Sequence, residues 1–184
     1  MALMTPPVCD FGASAIDFNL LGVDGEMWNL EKCRGENGTL IMFICNHCPY
    51  VKAIQSLLIR DTGALLAEGI SSVAIMPNDT ASFPEDSYEN MKKIATQLSY
   101  PFPYLLDESQ EVARAYGAVC TPDFFGYNRD LALQYRGRLD ETTPSNSNPN
   151  AERDLFEAMK QVAATGRGPE HQISSMGCSI KWRE

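Results

Sequence analysis

Apolar positions divide the chain into alternating strand-like and helix-like stretches. Residues 16 to 30 alternate loosely through Phe18, Leu20, Val23, Met27, Trp28 and Leu30 around Asp24-Gly25, which predicts an opening β-hairpin. Thr39-Leu40-Ile41-Met42-Phe43-Ile44 is an unbroken apolar run after Gly38, the pattern of a strand covered on both faces in a parallel sheet. Beyond Pro49 the apolar residues Val51, Ile54, Leu57, Leu58, Leu65 and Leu66 take helical spacing. Proline is tolerated at a helix start because its missing N–H would find no partner there.

The alternation continues. Ile70 to Met76 predicts a strand, Pro77 to Asp86 a polar loop, and Tyr88, Met91, Ala95 and Leu98 mark a helix. Phe102 to Leu106 reads as a short strand and Glu108 to Tyr116 as a short helix ended by Gly117. Phe124 to Arg138 reads as two strands about Asn128-Arg129-Asp130, forming antiparallel edge strands. Thr142 to Asn150 is loop-like, and Ala151 to Thr165 carries Leu155, Phe156, Met159 and Val162 on one helical face. Strand and helix in alternation imply an α/β protein with a parallel sheet core. No repeat or linker interrupts it, so one domain over residues 1–184 is expected, with the hairpin at about 16–30 and a tail at about 166–184 that packs on the body through Ile173, Cys178, Ile180 and Trp182.

Composition narrows the function classes. A length of 184 residues with 44% hydrophobic residues supports a normal core. A formal net charge of -9 without a Lys/Arg cluster disfavours nucleic acid and anionic membranes as partners. Neither a long apolar run nor a secretory leader is visible, which gives a soluble, cytoplasmic protein as the expectation. Six cysteines are too sparse for a secreted disulfide scaffold. Only Cys45 and Cys48 stand close together, and they follow the predicted buried strand directly.

Thiol chemistry needs thiolate, so something must stabilise negative sulfur at neutral pH. Cys45 is expected to face the N-terminus of the following helix, Cys48 to share a hydrogen bond with it, and His47 to add positive charge when protonated, with Asn46 completing the spacer. Lowering a thiol pKa from ~8.5 to ~7 raises the thiolate fraction at neutral pH from roughly 3% to about half. A zinc reading of the pair is disfavoured on ligand supply, because zinc needs two further ligands and only Cys120, Cys178, His171 and the other two cysteines are available, and no metal or other cofactor is expected. Cys9, Cys33 and Cys178 carry no local signature. Cys178 would approach the site only if the tail folds back, and burial is its default. His171 and Glu85-Asp86 are expected on the solvated surface.

Strand, CxxC at a helix start, and Val119-Cys120-Thr121-Pro122-Asp123-Phe124-Phe125 downstream together resemble the thioredoxin superfamily. The resemblance implies a thioredoxin-like fold, a central mixed β-sheet flanked by helices with an N-terminal hairpin extension, and a cis-proline loop at Thr121-Pro122 facing the dithiol. Closer still is the peroxiredoxin-like branch of the alkyl hydroperoxide reductase/thiol-specific antioxidant (redoxin) group. Its marks are Phe18-Asn19-Leu20 with Asp24-Gly25, Asn46-His47-Cys48-Pro49-Tyr50-Val51, Leu105-Leu106-Asp107, Tyr135-Arg136-Gly137-Arg138 and Gly177-Cys178-Ser179-Ile180-Lys181-Trp182. A peroxidatic cysteine of that group would align with Cys48, but its hydroxyl partner falls on Cys45 and its arginine near Pro122. The buried acid of thioredoxin would fall near Thr39. His47 before the second cysteine is similar to strongly oxidising DsbA-type centres, with Asn46 in place of their proline.

The expected function is therefore thiol-disulfide exchange with a protein or low-molecular-weight thiol or disulfide. In it Cys45 attacks as the more exposed thiolate, Cys48 resolves, and Thr121 and Pro122 dock the substrate. Cys120, two residues before the proline, is the candidate third redox thiol, with an ordinary buried role as its alternative. A thiol peroxidase acting on peroxide, and a non-enzymatic redox-sensing domain, are the competing readings.

Overall fold

In a computed structural model that describes residues 2–183, the chain builds ten strands and five helices around one large sheet. The opening hairpin is β2 (Asn19–Gly22) and β3 (Met27–Asn29), turning at Gly25, whose φ of 84° suits glycine. The buried strand is β4 (Gly38–Phe43), and the helix after the cysteines is α2 (Pro49–Ala67). Then follow β5 (Ile70–Met76), a 3-10 turn at Pro84–Asp86, α3 (Tyr88–Gln97), β6 (Tyr104–Leu106) and α4 (Glu111–Tyr116). The chain closes through β7 (Cys120–Thr121), β8 (Asp123–Asn128), β9 (Leu133–Tyr135), α5 (Asp154–Thr165) and β10 (Gly177–Ser179). Short β1 (Leu3–Met4) and α1 (Leu30–Cys33) complete the set.

The large sheet runs β3-β2-β6-β5-β4-β8-β9, with β4, β5 and β6 parallel and the other pairings antiparallel. It is the expected mixed sheet. Alternation along β4 explains its unbroken apolar run: Leu40 and Met42 face one layer with Val51, Leu58, Leu155 and Met159 of α2 and α5, while Ile41 and Phe43 face another with Leu30, Ala113 and Tyr116. Both layers need apolar partners, so every residue of the strand is buried.

Several boundaries differ from the sequence expectation. The strand expected from Phe102 begins at Tyr104, the helix expected from Glu108 begins at Glu111, and the helix expected from Ala151 begins at Asp154. Of the hairpin expected at Phe124–Arg138, only β9 is an edge. The first strand, β8, is interior, because its six buried residues pair with β4 on one side and β9 on the other. The tail forms β10, inserted between β1 and β7 in a small second sheet. Among the described residues no helix is long and apolar enough to cross a membrane.

Candidate active site

β4 ends at Phe43 and α2 starts at Pro49, so residues 44–48 form the short loop at the C-terminal end of a central strand. Pro49 occupies the first helical position and makes Cys48 the N-cap. The helix N-terminus is therefore presented to Cys48, and the expectation that it faces Cys45 is corrected. Both sulfurs lie deep, with Cys45 2% and Cys48 0% exposed, so the expected prominence of Cys45 is slight.

The Thr121–Pro122 peptide bond is cis, and Thr121 touches both thiols. Its hydroxyl lies 3.3 Å from Cys45 Sγ, and its carbonyl oxygen, 3.1 Å from Cys48 Sγ, accepts the Cys48 S–H when that sulfur is protonated. One anion is distributed unequally over the pair. The Cys48 thiol is pulled down to about 5, first by the hydrogen bond from Cys45, then, against burial, by N–H groups of Val51 and Cys178 and by the Cys178 thiol. Cys45 is pushed up because its proton is held toward Cys48, because it is buried, and because Asp86 is negative nearby. The physical result is a Cys48 thiolate and a Cys45 thiol at neutral pH.

Around the spacer, one carboxylate gathers the donors. Asp86 is fully buried and accepts hydrogen bonds from the Asn46 N–H at 2.8 Å, the His47 N–H at 3.2 Å, His47 Nδ1 at 2.7 Å and Asn78 Nδ2 at 2.8 Å. The expectation of a solvated Asp86 is thereby overturned, while Glu85 beside it is exposed as expected. Asp86 closes the 3-10 turn before α3, and turning inward gives the loop amides the acceptor that no neighbouring backbone supplies. His47 also stacks on Phe83 at 5.3 Å, and its Nδ1 stands 4.0 Å from Cys45 Sγ. Asn46 is held by Tyr104 Oη, which donates to its Oδ1, and by the Glu85 carbonyl.

The C-terminal tail supports this shell from behind. The Lys181 N–H donates to Asn78 Oδ1 at 2.9 Å, fixing the side chain that in turn holds Asp86. Cys178 lies across the β7–β10 pairing from Thr121, so the tail does fold back to the site. Cys120 is buried with its S–H toward the Pro122 carbonyl at 3.4 Å, and burial pushes its pKa up. Thr39 is buried where thioredoxin's acid was expected to align, and its hydroxyl accepts the Gly35 N–H. Arg136 pairs with buried Asp123 and stacks on Phe125, in the layer opposite α2. Cys9 and Cys33 are pushed up to about 11 and about 12, chiefly by burial, and His171 is exposed.

Cys45 Sγ, His47 Nδ1 and an Asp86 oxygen lie within 4.8 Å of one another, a donor set of the kind that binds transition metals. Nδ1 and the carboxylate are, however, already spent on each other and on three further donors.

The model of the AhpC/TSA family matches residues 11–141, which takes in the CxxC, the cis-proline loop and all of the large sheet. The chain belongs to the AhpC/TSA family. Its structure superposes on an uncharacterised conserved protein of Geobacillus kaustophilus with 47% identity and a TM-score of 0.94, covering 100% of this chain and 97% of that one. A hypothetical protein of Sinorhizobium meliloti gives 37% identity and a TM-score of 0.92, with 97% of both chains covered. The thioredoxin domain of a thiol-disulfide oxidoreductase from Bacteroides vulgatus, at 15% identity and a TM-score of 0.63, covers 83% of this chain and 97% of its own and shares the fold. No curated protein matches. A thioredoxin-like fold in the redoxin group follows, and with it a redox role as the broad assignment.

Proposed function

We propose that this AhpC/TSA protein exchanges disulfides with a protein or small thiol, working best as an oxidant through a Cys45–Cys48 disulfide. The single observation behind this reading is the N-cap position of Cys48, whose thiol is pulled down to about 5, first by Cys45 and then, against burial, by the Val51 and Cys178 N–H groups and the Cys178 thiol. A thiol with so low a pKa is a good leaving group, and a reduced form stabilised in this way makes its disulfide more oxidising.

The steps balance without an outside co-reactant. A substrate thiolate bonds to Cys45 Sγ, the Cys45–Cys48 bond breaks, and the electron pair stays on Cys48 as its stabilised thiolate. A second substrate thiolate then attacks the substrate sulfur of the mixed disulfide, and the Cys45 sulfur leaves. Thr121 Oγ, 3.3 Å away, stabilises that sulfur until it takes up one of the protons the substrate thiols gave up, while Cys48 stays the thiolate. The substrate leaves as a disulfide and the protein as a dithiol. In the reverse direction Cys45 attacks and Cys48 resolves, but the raised Cys45 pKa makes this the slower entry.

A cleft of about 130 Å³ lined by Tyr50, Pro122, Phe124, Thr142, Ile173 and Met176 opens beside the cis-proline and offers the substrate a place along that loop. His47, braced by Asp86 and Phe83, borders Cys45 at 4.0 Å.

Family membership favours one second reading, peroxide reduction at Cys48 with Cys45 resolving the sulfenic acid. Against it stand the positions that peroxiredoxins give to a hydroxyl residue and an arginine, which fall here on Cys45 and near Pro122, while Arg136 is paired to Asp123. The two are separated by presenting the oxidised protein with a dithiol peptide and the reduced protein with hydrogen peroxide in stopped-flow. Rapid peptide oxidation with slow peroxide consumption is expected. Rapid peroxide consumption without peptide oxidation contradicts the exchange reading.

A further inference from the structure

We propose that Cys178 is a third working thiol of this site, which accepts the disulfide from Cys45 by bonding to Cys48. The proposal rests on the disulfide chemistry above and adds a destination for it.

The C-terminal strand carries Cys178 to Cys48 by way of the cis-proline loop. In β10, Cys178 pairs with Thr121, the residue whose carbonyl oxygen stands 3.1 Å from Cys48 Sγ. The backbone N–H and the thiol of Cys178 both help to lower the Cys48 pKa, as expected of groups brought to that sulfur by this pairing. The approach is close because residue 177 is glycine: a Cβ there would lie 2.1 Å from the Thr121 carbonyl oxygen. The Ser179 N–H bonds to the Ala2 carbonyl and the Ile180 N–H to that of Val119, so the strand is fixed on both sides of the cysteine. Cys178 is itself buried, in the same apolar cluster as Cys45 and Cys48.

These contacts give Cys178 two states to act in. When the pair is reduced, its thiol is held up at about 11, chiefly by burial and then by the bond to Cys48, with Lys181 opposing, and it serves as a proton donor to the Cys48 thiolate. When Cys45 and Cys48 are joined, Cys48 no longer carries that charge. The Cys178 sulfur then bonds to Cys48 Sγ as its proton leaves, the Cys45–Cys48 bond breaks, and Cys45 keeps the electron pair and takes up a proton. One disulfide and one thiol stand on each side of this step. The disulfide moves inward, Cys45 is freed beside His47 and Thr121, and the tail strand becomes tied to the start of α2. Cys120, whose S–H faces the Pro122 carbonyl, is the rival partner.

Removing Cys45 isolates the step. The Cys45→Ser protein, with Cys45→Ala as a second background, is oxidised with diamide, alkylated and mapped by mass spectrometry beside the unaltered chain. The expected product is a Cys48–Cys178 linked peptide in most molecules, formed at a rate independent of protein concentration. Cys178 recovered alkylated in both backgrounds, with Cys48 joined to Cys120, to a second chain or to nothing, overturns the proposal. A Cys178→Ser chain reports separately on the exchange reading: with the third thiol gone, a map with no Cys45–Cys48 peptide defeats that reading, whichever partner Cys48 takes in the other variants.

Discussion

Replacing Cys48 with serine should reduce dithiol oxidation at least about a thousandfold, because the substitution removes both the disulfide and its leaving group. The expected change extends beyond turnover. Cys45 is held up first by its hydrogen bond to Cys48, so losing that partner should lower the Cys45 pKa, while burial and Asp86 keep it above the ordinary thiol value. Alkylation of the remaining Cys45 as a function of pH measures this directly. The complementary Cys45→Ala protein should show the opposite movement at Cys48, since the largest cause of its low pKa is the Cys45 hydrogen bond. Were Cys48→Ser to retain most of its turnover, a single-thiol mechanism at Cys45 would replace the present one.

The second large effect falls on a residue without sulfur. Asp86→Ala leaves the Asn46 and His47 amides, the His47 ring and Asn78 Nδ2 without their common acceptor. Breaking such a buried charged hub by removing its centre costs about 3–5 kcal/mol, which for a chain of this size lowers the melting temperature by roughly 10 °C or more. Thermal unfolding followed by circular dichroism measures it. Asp86→Asn keeps the volume and one acceptor oxygen and should fall between the two. Because the hub sets the path of the spacer between the cysteines, dithiol oxidation should drop with stability in Asp86→Ala. A variant as stable as the parent would show that the loop is held by its backbone alone.

The sequence made the site's frame visible because each part of that frame is local. A doubly covered strand announces itself in five consecutive apolar residues, Leu40 to Ile44, the helix start in Pro49, and the cis-proline loop in Thr121-Pro122. The same proline also held the signal for the N-cap: a proline at the first helical position puts the cap one residue earlier, on Cys48. Asp86, Asn78 and Tyr104 were not visible. Each comes from a different segment and meets the spacer only through packing of β5, β6 and the turn before α3. An acidic pair in a polar loop looks solvated until the fold shows that one carboxylate faces four donors. Cys178 was left open for a related reason. Its approach depends on a three-residue strand and on Gly177, and neither has a periodicity to read.

The tail also explains why the C-terminal residues belong to the account of the site. Lys181 fixes Asn78, Asn78 fixes Asp86, and Asp86 fixes His47, so a tail segment distant in sequence sets the geometry beside Cys45.

The most direct test of the exchange reading is an equilibrium redox titration of the Cys45–Cys48 dithiol in the Cys178→Ser protein between about pH 6 and 8, with the disulfide located by mass spectrometry. In that window the reduced state should hold one proton on Cys45 and none on Cys48, so two electrons enter with one proton. The account predicts a Cys45–Cys48 disulfide whose potential is more oxidising than thioredoxin's, about −270 mV, and falls by ~30 mV per pH unit. A potential at or below that value falling by ~59 mV per pH unit, the mark of two protonated thiols, would contradict it.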